Sequence, residues 1–158
     1  MCRTTVLVLE ANIFMRISDI LQMRLSSIIR DGDRYRLDII EKKTKKKRQF
    51  TIPAEIYTFI QEYAINRGLK KEDLLFDITA RQVQKHIQLV VNYLGIEGAI
   101  STHSFRKMGA TEVYKHEKDI FIIKELLQHS SIQTSEKYIN IRREAVERAI
   151  ANHIKLPK

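Results

Sequence analysis

The stretch Leu127-Gln-His-Ser-Ser-Ile-Gln-Thr-Ser-Glu-Lys-Tyr138 is the most informative part of the chain. His129 follows an apolar helical segment, and Tyr138 comes nine residues later. Ser130 or Ser131 begins the segment that carries the tyrosine, because a side-chain hydroxyl can cap a helix. Each residue alone has an ordinary explanation, since a histidine at a helix end complements the helix dipole and a tyrosine packs with a wet hydroxyl. Their meaning therefore depends on residues elsewhere in the chain.

Three groups of cationic residues lie upstream of that stretch. His103 and Arg106 are three residues apart and share one face of a predicted helix. The run from Lys42 to Arg48 has six basic residues in seven positions, which is typical of a solvated or nucleic-acid-contacting loop. Arg16 stands at or just before the start of a helix predicted from apolar spacing. These groups are the candidate functional residues.

Length and composition limit the class of protein. The chain has 158 residues, enough for one domain, and its 44% apolar residues can form a core. The 28 Lys and Arg residues outnumber the 19 Asp and Glu residues, and the resulting charge of +9 indicates a polyanionic partner, either nucleic acid or an anionic membrane surface. Cys2 is the sole cysteine, which excludes a disulfide framework and a cysteine zinc site. No apolar run approaches the roughly 18 residues of a membrane span, and the N-terminus is not built like a secretory signal, so we expect a cytosolic protein.

The hydrophobic pattern predicts an α+β fold that is mostly helical, with one small antiparallel β-sheet. Arg34–Ile40 alternates and Gln49–Ile52 resembles its partner strand, so Glu41–Arg48 becomes a charged hairpin connection. Residues 4–9 fit a strand and a buried helix equally well. Helices are predicted over Ile17–Leu25, from Pro53 to near Gly68, from the capping box of Thr79 and Gln82 to Leu94, from Ser101 or Thr102 to about Lys115, over 118–128, from Ser130 or Ser131 onward, and over Arg142–His153.

Taken in chain order, the candidate residues resemble the catalytic signature of the tyrosine recombinases, also called phage integrases. The resemblance covers nearly the whole chain and implies the fold of that family's catalytic domain. Met15-Arg-Ile-Ser-Asp-Ile20 is similar to the first arginine box, with Asp19 at its acidic position. Lys43-Thr44 followed by Phe50-Thr-Ile-Pro53 is similar to the hairpin lysine segment. Three departures lie beside catalytic positions: Gln128 replaces a usual glycine, Phe105 a leucine, and Phe14-Met15 a Gly-Leu pair.

The resemblance implies a role for each residue of the signature. Tyr138 attacks the phosphorus of a DNA backbone linkage and forms a covalent 3′-phosphotyrosyl bond. Arg16 and Arg106 hold the non-bridging oxygens, where negative charge develops in the transition state. His103 and His129 bind the phosphate or assist with the proton of the tyrosine. The site is expected to need no metal and no cofactor.

The hairpin supplies the remaining role. A lysine that is desolvated among arginines becomes a better acid and can protonate the departing 5′ oxygen. Lys43 is the preferred general acid, and Lys42 and Lys45 are its nearest rivals. The other basic side chains of the hairpin are expected to contact DNA: Lys42, Lys45, Lys46, Lys47 and Arg48.

The implied partner is double-stranded DNA, with neither a membrane nor a small-molecule substrate. The apolar face between Ala145 and Ile154 either packs on its own domain or, as in the family, docks on a neighbouring protomer of a homotetramer on DNA. Residues 1–158 are expected to form the catalytic domain without the family's N-terminal core-binding domain. The resemblance implies a prokaryotic or phage-encoded cytoplasmic protein that joins the nucleoid when bound.

Two other functions fit the same residues. A type IB topoisomerase resembles this family in its tyrosine nucleophile and arginine-rich site, and it relaxes supercoiled DNA without site preference. A non-catalytic DNA-binding or interaction module from a truncated recombinase uses the basic hairpin to contact phosphate without any chemistry.

Overall fold

A computed structural model describes residues 2–140 and Glu147. The length of the chain predicted one domain, and the structure distinguishes two compact units within it. The first unit ends at Arg106 and the second begins at Lys107. The boundary between the two units falls inside a helix.

The described residues confirm the predicted class, which is mostly helical with a small antiparallel sheet. The first unit contains α1 (Cys2–Ile13), α2 (Ile17–Ile20), a 3-10 turn (Leu25–Ser27), β1 (Ile28–Asp31), β2 (Arg34–Ile40), β3 (Lys47–Ile52), α3 (Ala54–Asn66), α4 (Ala80–Tyr93) and the beginning of α5 (Thr102–Glu117). The second unit contains the rest of α5, α6 (Ile120–Leu127) and α7 (Ile132–Ile139).

The three strands form an antiparallel sheet in the order β1-β2-β3. Strand β2 has the predicted bounds, and its central Leu37 pairs with Ile28 of β1 and Phe50 of β3. Strand β3 begins two residues earlier than predicted, because the ladder continues until Lys47 pairs with Ile40. Strand β1 was not predicted, since its four residues are too few to show an alternating pattern.

The region before the sheet settles one open question and corrects one prediction. Residues 4–9 lie in α1, a helix rather than a strand. The helix predicted over Ile17–Leu25 is a single turn, α2. The reason is a competing backbone partner: the N–H of Leu75 donates to the carbonyl of Met23 at 2.9 Å, which draws the chain out of the helix.

The predicted helix starts at Thr79 and Ser131 are confirmed by their caps. Thr79 accepts from the backbone N–H of Gln82, and Gln82 accepts from that of Thr79. Ser131 likewise accepts from Thr134 at the start of α7. The helix predicted over Arg142–His153 lies outside the described residues apart from Glu147. No helix in the described part of the chain is both long and apolar enough to cross a membrane.

The core of the first unit joins α1, α2, the sheet, α3 and α4. Its fully buried members include Leu9, Met15, Ile20, Leu37, Ile52, Ile60, Phe76 and Val83. In the second unit α6 packs on α7 and buries Ile123, Leu127 and Ile139. Both units therefore place cationic or phenolic side chains on elements that are fixed by apolar packing.

Two residues beside the candidate site hold the left-handed backbone conformation that favours glycine. Phe14 has φ +54° and Gln128 has φ +50°. These are the two positions at which the family resemblance implies a glycine. A residue with a Cβ in this conformation costs roughly 1 kcal/mol, and Gln128 bears that cost where α6 ends.

Replacing Gln128 with glycine should stabilise the protein. Gln128→Gly relieves the backbone strain, whereas Gln128→Ala removes the same polar side chain but keeps the strain. We expect the free energy of unfolding of the glycine variant to be about 0.5–1 kcal/mol higher than that of the alanine variant. Thermal unfolding of the two variants followed by circular dichroism measures the difference. A glycine variant no more stable than the alanine variant contradicts the account.

Candidate active site

Arg16 lies at the start of α2, where the sequence predicted it. Its Nη1 donates to Oε2 of Glu41 at 2.7 Å, and its side chain is 16% exposed. The guanidinium is therefore bound by a carboxylate, while part of the side chain remains exposed to solvent. A guanidinium has five N–H donors, so one bond to Glu41 leaves donors for a phosphate.

Arg106 is brought to the same region by a backbone carbonyl. It lies near the start of α5, and its Nε donates to the carbonyl of Phe14 at 2.8 Å. Phe14 is two residues before Arg16, and its left-handed conformation turns the chain at this point. Arg106, ninety positions after Arg16 in the sequence, is thus bound to the turn that precedes Arg16.

His103 lies on α5 one turn before Arg106. Partial burial and the positive charges of Arg106, Arg16 and Lys43 all lower the pKa of His103. Three cations act on one imidazole only if all of them lie near it. The first unit therefore brings together four residues of the predicted signature: Arg16, Lys43, His103 and Arg106.

The basic hairpin spans residues 41–46, between β2 and β3. It is closed by two backbone bonds of 2.9 Å, from Lys45 to the carbonyl of Glu41 and from Glu41 to the carbonyl of Lys46. The side chains of its four lysines are exposed, as is that of Lys47 at the start of β3: Lys42, Lys43, Lys45, Lys46 and Lys47. Lys47 also lies 3.2 Å from the carboxylate of Asp38.

Arg48 differs from the expectation that it contacts DNA. Its side chain is 3% exposed, it donates to Glu41 at 3.3 Å, and its guanidinium stacks 4.7 Å from the ring of Phe50. Burial lowers the pKa of Arg48 to about 10, against the opposing charge of Glu41. Strand alternation explains the position, because Arg48, Phe50 and Ile52 lie on the inward face of β3. Arg48 supports the site from within the fold.

The second unit carries the other two signature residues. Nδ1 of His129 lies 3.0 Å from Oγ of Ser135, a fully buried hydroxyl. The ring of Tyr138 meets the imidazole edge-on, with ring centroids 5.2 Å apart and planes at 77°. Ser135 was missed in the sequence analysis, although it lies three residues before Tyr138 and so on the same face of α7.

Two buried carboxylates beside the cations were also missed. Glu10 of α1 is fully buried, with Oε1 3.9 Å from Nδ1 of His103. Burial raises the pKa of Glu10 to about 8, although the charge of Arg106 and the backbone N–H of Ile17 favour the carboxylate. The sequence spacing could have predicted this burial, since Glu10 shares the buried face of α1 with Val6, Leu9 and Ile13.

Glu41 is the second missed carboxylate. Burial alone raises its pKa, but the hydroxyl of Thr44 and the guanidiniums of Arg16 and Arg48 outweigh burial and hold the pKa of Glu41 below its ordinary value. Glu41 continues the inward alternation of Leu37 and Ile39, which was the signal for its burial. In the described part of the chain no cluster of three or more His, Cys, Asp or Glu side chains is arranged to hold a metal.

This geometry defines a class of site. Guanidinium, ammonium and imidazole groups converge on the first unit, and a tyrosine contacts a histidine on the second. The cations of the first unit can bind a phosphodiester and stabilise its negative charge. The tyrosine of the second unit can offer a nucleophile.

Comparison with known proteins identifies the family. The sequence model of the Phage integrase family matches residues 3–145, and the chain belongs to that family. It is 31% identical over 137 residues to the probable integrase/recombinase YoeC of Bacillus subtilis, covering 82% of this chain and 72% of YoeC. It is 27% identical over 145 residues to the tyrosine recombinase XerH of Helicobacter pylori, covering 85% of this chain and 40% of XerH.

Solved structures show the same fold. The XerH recombinase in a post-cleavage complex with palindromic difH substrate aligns with a TM-score of 0.74 and 24% identity, over 94% of this chain and 45% of that one. The catalytic domain of bacteriophage HP1 integrase aligns with a TM-score of 0.64 and 20% identity, over 94% of this chain and 80% of that one. The fold is that of a tyrosine recombinase catalytic domain, and the chain spans less than half of XerH.

The buried carboxyl of Glu10 predicts a pH-dependent stability. Its pKa is about 8 in the folded chain and 4.5 ordinarily, so between these values the folded state holds a proton that the unfolded state has lost. Stability should therefore fall as pH rises through this window, by at most about 1.4 kcal/mol per pH unit. Glu10→Gln is neutral at every pH and lacks this loss.

Urea unfolding of wild type and Glu10→Gln at pH 5, 6.5 and 8 measures the effect. We expect the stability of the variant relative to wild type to increase with pH across the series. Two stability curves that run parallel between pH 5 and 8 contradict the raised pKa.

Proposed function

We propose that this chain is the catalytic domain of an integrase-type recombinase that carries out site-specific DNA recombination. It cleaves and religates DNA strands through a covalent 3′-phosphotyrosyl intermediate. One observation carries the proposal: Arg16, Lys43 and the pair His103 and Arg106, from three separate parts of the sequence, share one region of the first unit. Such a cluster of cations can stabilise the extra negative charge that develops on one phosphate in the transition state.

The reaction has two balanced steps. The Tyr138 oxygen attacks phosphorus and gives up its proton, the bond from phosphorus to the 5′ oxygen breaks, and that oxygen receives a proton. Rejoining reverses both transfers, with a 5′ hydroxyl of the partner strand as the nucleophile. The phosphodiester bond energy is kept in the phosphotyrosyl link, so no energy source is required.

Each side chain takes a role that its surroundings support. Arg16 and Arg106 bind the non-bridging oxygens. His103, whose pKa is lowered by burial and by its cationic neighbours, acts as a neutral hydrogen-bonding group. Lys43 protonates the leaving oxygen, supported by its charge acting on His103. His129 lies against the ring of Tyr138 and assists with the tyrosine proton.

The proposed partner is double-stranded DNA. Supporting this, the structures of XerH bound to difH substrate and of a lambda integrase dimer bound to a COC′ core site share the fold. The exposed lysines of the hairpin contact the phosphate backbone, and the segment after Asn140 joins protomers into a homotetramer on DNA. The chain acts in the cytoplasm, encoded by a prokaryote or a phage. The relatives are recombinases and integrases, so the topoisomerase and non-catalytic alternatives are not favoured.

Replacing the nucleophile tests the proposal. A DNA duplex nicked beside the cleavage site loses its short 5′-hydroxyl fragment after attack, so the covalent adduct accumulates. We expect wild type to form an adduct that survives denaturing electrophoresis, and Tyr138→Phe to form none. Tyr93→Phe, which alters an 89% exposed tyrosine of α4, should form it at the wild-type rate.

The core site of a relative serves as the DNA in this experiment. Equal trapping by wild type and Tyr138→Phe removes Tyr138 as the nucleophile. Failure of wild type to form any adduct on such sites, at high protein concentration and low salt, contradicts the proposed activity.

A further inference from the structure

Glu41 makes more polar contacts than an ion pair with one arginine requires. Its side chain is fully buried. Oε2 accepts from Nη1 of Arg16 at 2.7 Å and from the Thr44 hydroxyl at 2.8 Å, and Oε1 accepts from Nη1 of Arg48 at 3.3 Å. Both oxygens are thus occupied, as a buried carboxylate requires.

The backbone of the same residue closes the hairpin. The N–H of Glu41 donates to Lys46, and its carbonyl accepts from Lys45, both at 2.9 Å. Lys43 lies between Glu41 and Thr44, two residues that are joined by a side-chain hydrogen bond. A change in the position of Lys43 therefore disturbs the contacts that hold Arg16.

A neighbouring contact ties the hairpin to α2 a second time. Oδ1 of Asp19 accepts from the backbone N–H of Lys42 at 2.8 Å. Arg16 and Asp19 both belong to the start of α2, while Glu41 and Lys42 are adjacent in the hairpin. Two adjacent hairpin residues are thereby fixed to one turn of helix.

We propose that Glu41 is a positioning residue that couples Arg16 to the hairpin lysine. It holds the guanidinium that binds the phosphate and the loop that carries the general acid in a fixed relative position. This inference rests on the proposed function. Reaction rates depend steeply on such geometry, since a misplacement of about 1 Å can cost about a hundredfold.

Leaving-group chemistry separates this role from a general loss of structure. A DNA linkage with sulfur in place of the bridging 5′ oxygen releases a thiolate, which is a far weaker base than an alkoxide and leaves without a proton. A variant that cleaves slowly because its general-acid lysine is misplaced regains its cleavage rate on the sulfur substrate. A variant that cleaves slowly because its arginine is misplaced does not, because the phosphate charge is still present.

The experiment compares Glu41→Gln with wild type on matched oxygen and sulfur suicide substrates. We expect a loss of about a hundredfold with oxygen and about tenfold with sulfur, because the lysine defect is relieved and the arginine defect remains. DNA affinity, measured by fluorescence anisotropy, should change less than about threefold. Lys43→Ala should recover almost fully on sulfur and serves as the reference for the lysine defect.

Matched variants control for charge and folding. Asp38→Asn removes another carboxylate from β2, one that contacts Gln49 and Lys47, and should cleave both substrates at the wild-type rate. Thr44→Val preserves volume and removes one donor to Glu41, so it should show a smaller loss with the same oxygen-to-sulfur pattern. This milder variant decides the matter if Glu41→Gln does not fold.

Hydrogen exchange of the hairpin amides provides a readout that needs no cleavage. Glu41→Gln should speed exchange at Lys45 and Lys46 at least tenfold, and Asp38→Asn should not. The inference is overturned if active wild type and Glu41→Gln cleave both substrates equally, or if the loss is the same with oxygen and sulfur. A wild type that cleaves neither substrate contradicts the proposed function, and unchanged exchange then overturns the positioning role as well.

Discussion

The candidate site depends on burying positive charge beside a single carboxylate. Arg48 is almost fully enclosed and Arg16 is mostly so, and both donate to Glu41. A buried charge is costly unless it is paired, and removing one partner of such a pair leaves the other uncompensated. Glu41 therefore determines more than local geometry: without it, neither the inner face of the sheet near Arg48 nor the start of α2 keeps its charge balance.

The cations around Arg16 repel one another, and the fold opposes that repulsion with oxygen atoms. The carbonyl of Phe14 accepts from Arg106 and from Arg48, and the carboxylate of Glu41 accepts from Arg16 and from Arg48. Under the proposed function, the phosphate of a DNA linkage supplies negative charge that lowers the mutual repulsion of these cations. On that proposal, affinity and transition-state stabilisation arise from the same arrangement.

Sequence reasoning predicted the parts of the structure that depend on local signals. The Thr79 capping box, strand β2 and the helix start at Ser131 each follow from a short pattern. The one-turn length of α2 does not, because it is set by a backbone bond to Leu75 across the chain. Within the site, Arg48 was grouped with the DNA-contacting lysines, although strand alternation assigns it to the interior. Burial of charge depends on its partners, and the partners of Arg48 come from Glu41 and the turn at Phe14.

The central claim is that Arg16 and Arg106 act on the charge of one phosphate. A methylphosphonate at the cleaved linkage replaces a charged non-bridging oxygen with a methyl group, so guanidinium groups lose much of their electrostatic value there. Adduct formation by wild type, Arg16→Ala and Arg106→Ala is measured on the natural and the methylphosphonate linkage. We expect the loss of adduct formation caused by removing either arginine to be at least about tenfold smaller on the neutral linkage. If either variant loses as much adduct formation on the neutral linkage as on the natural one, that guanidinium does not act on the charge of the phosphate.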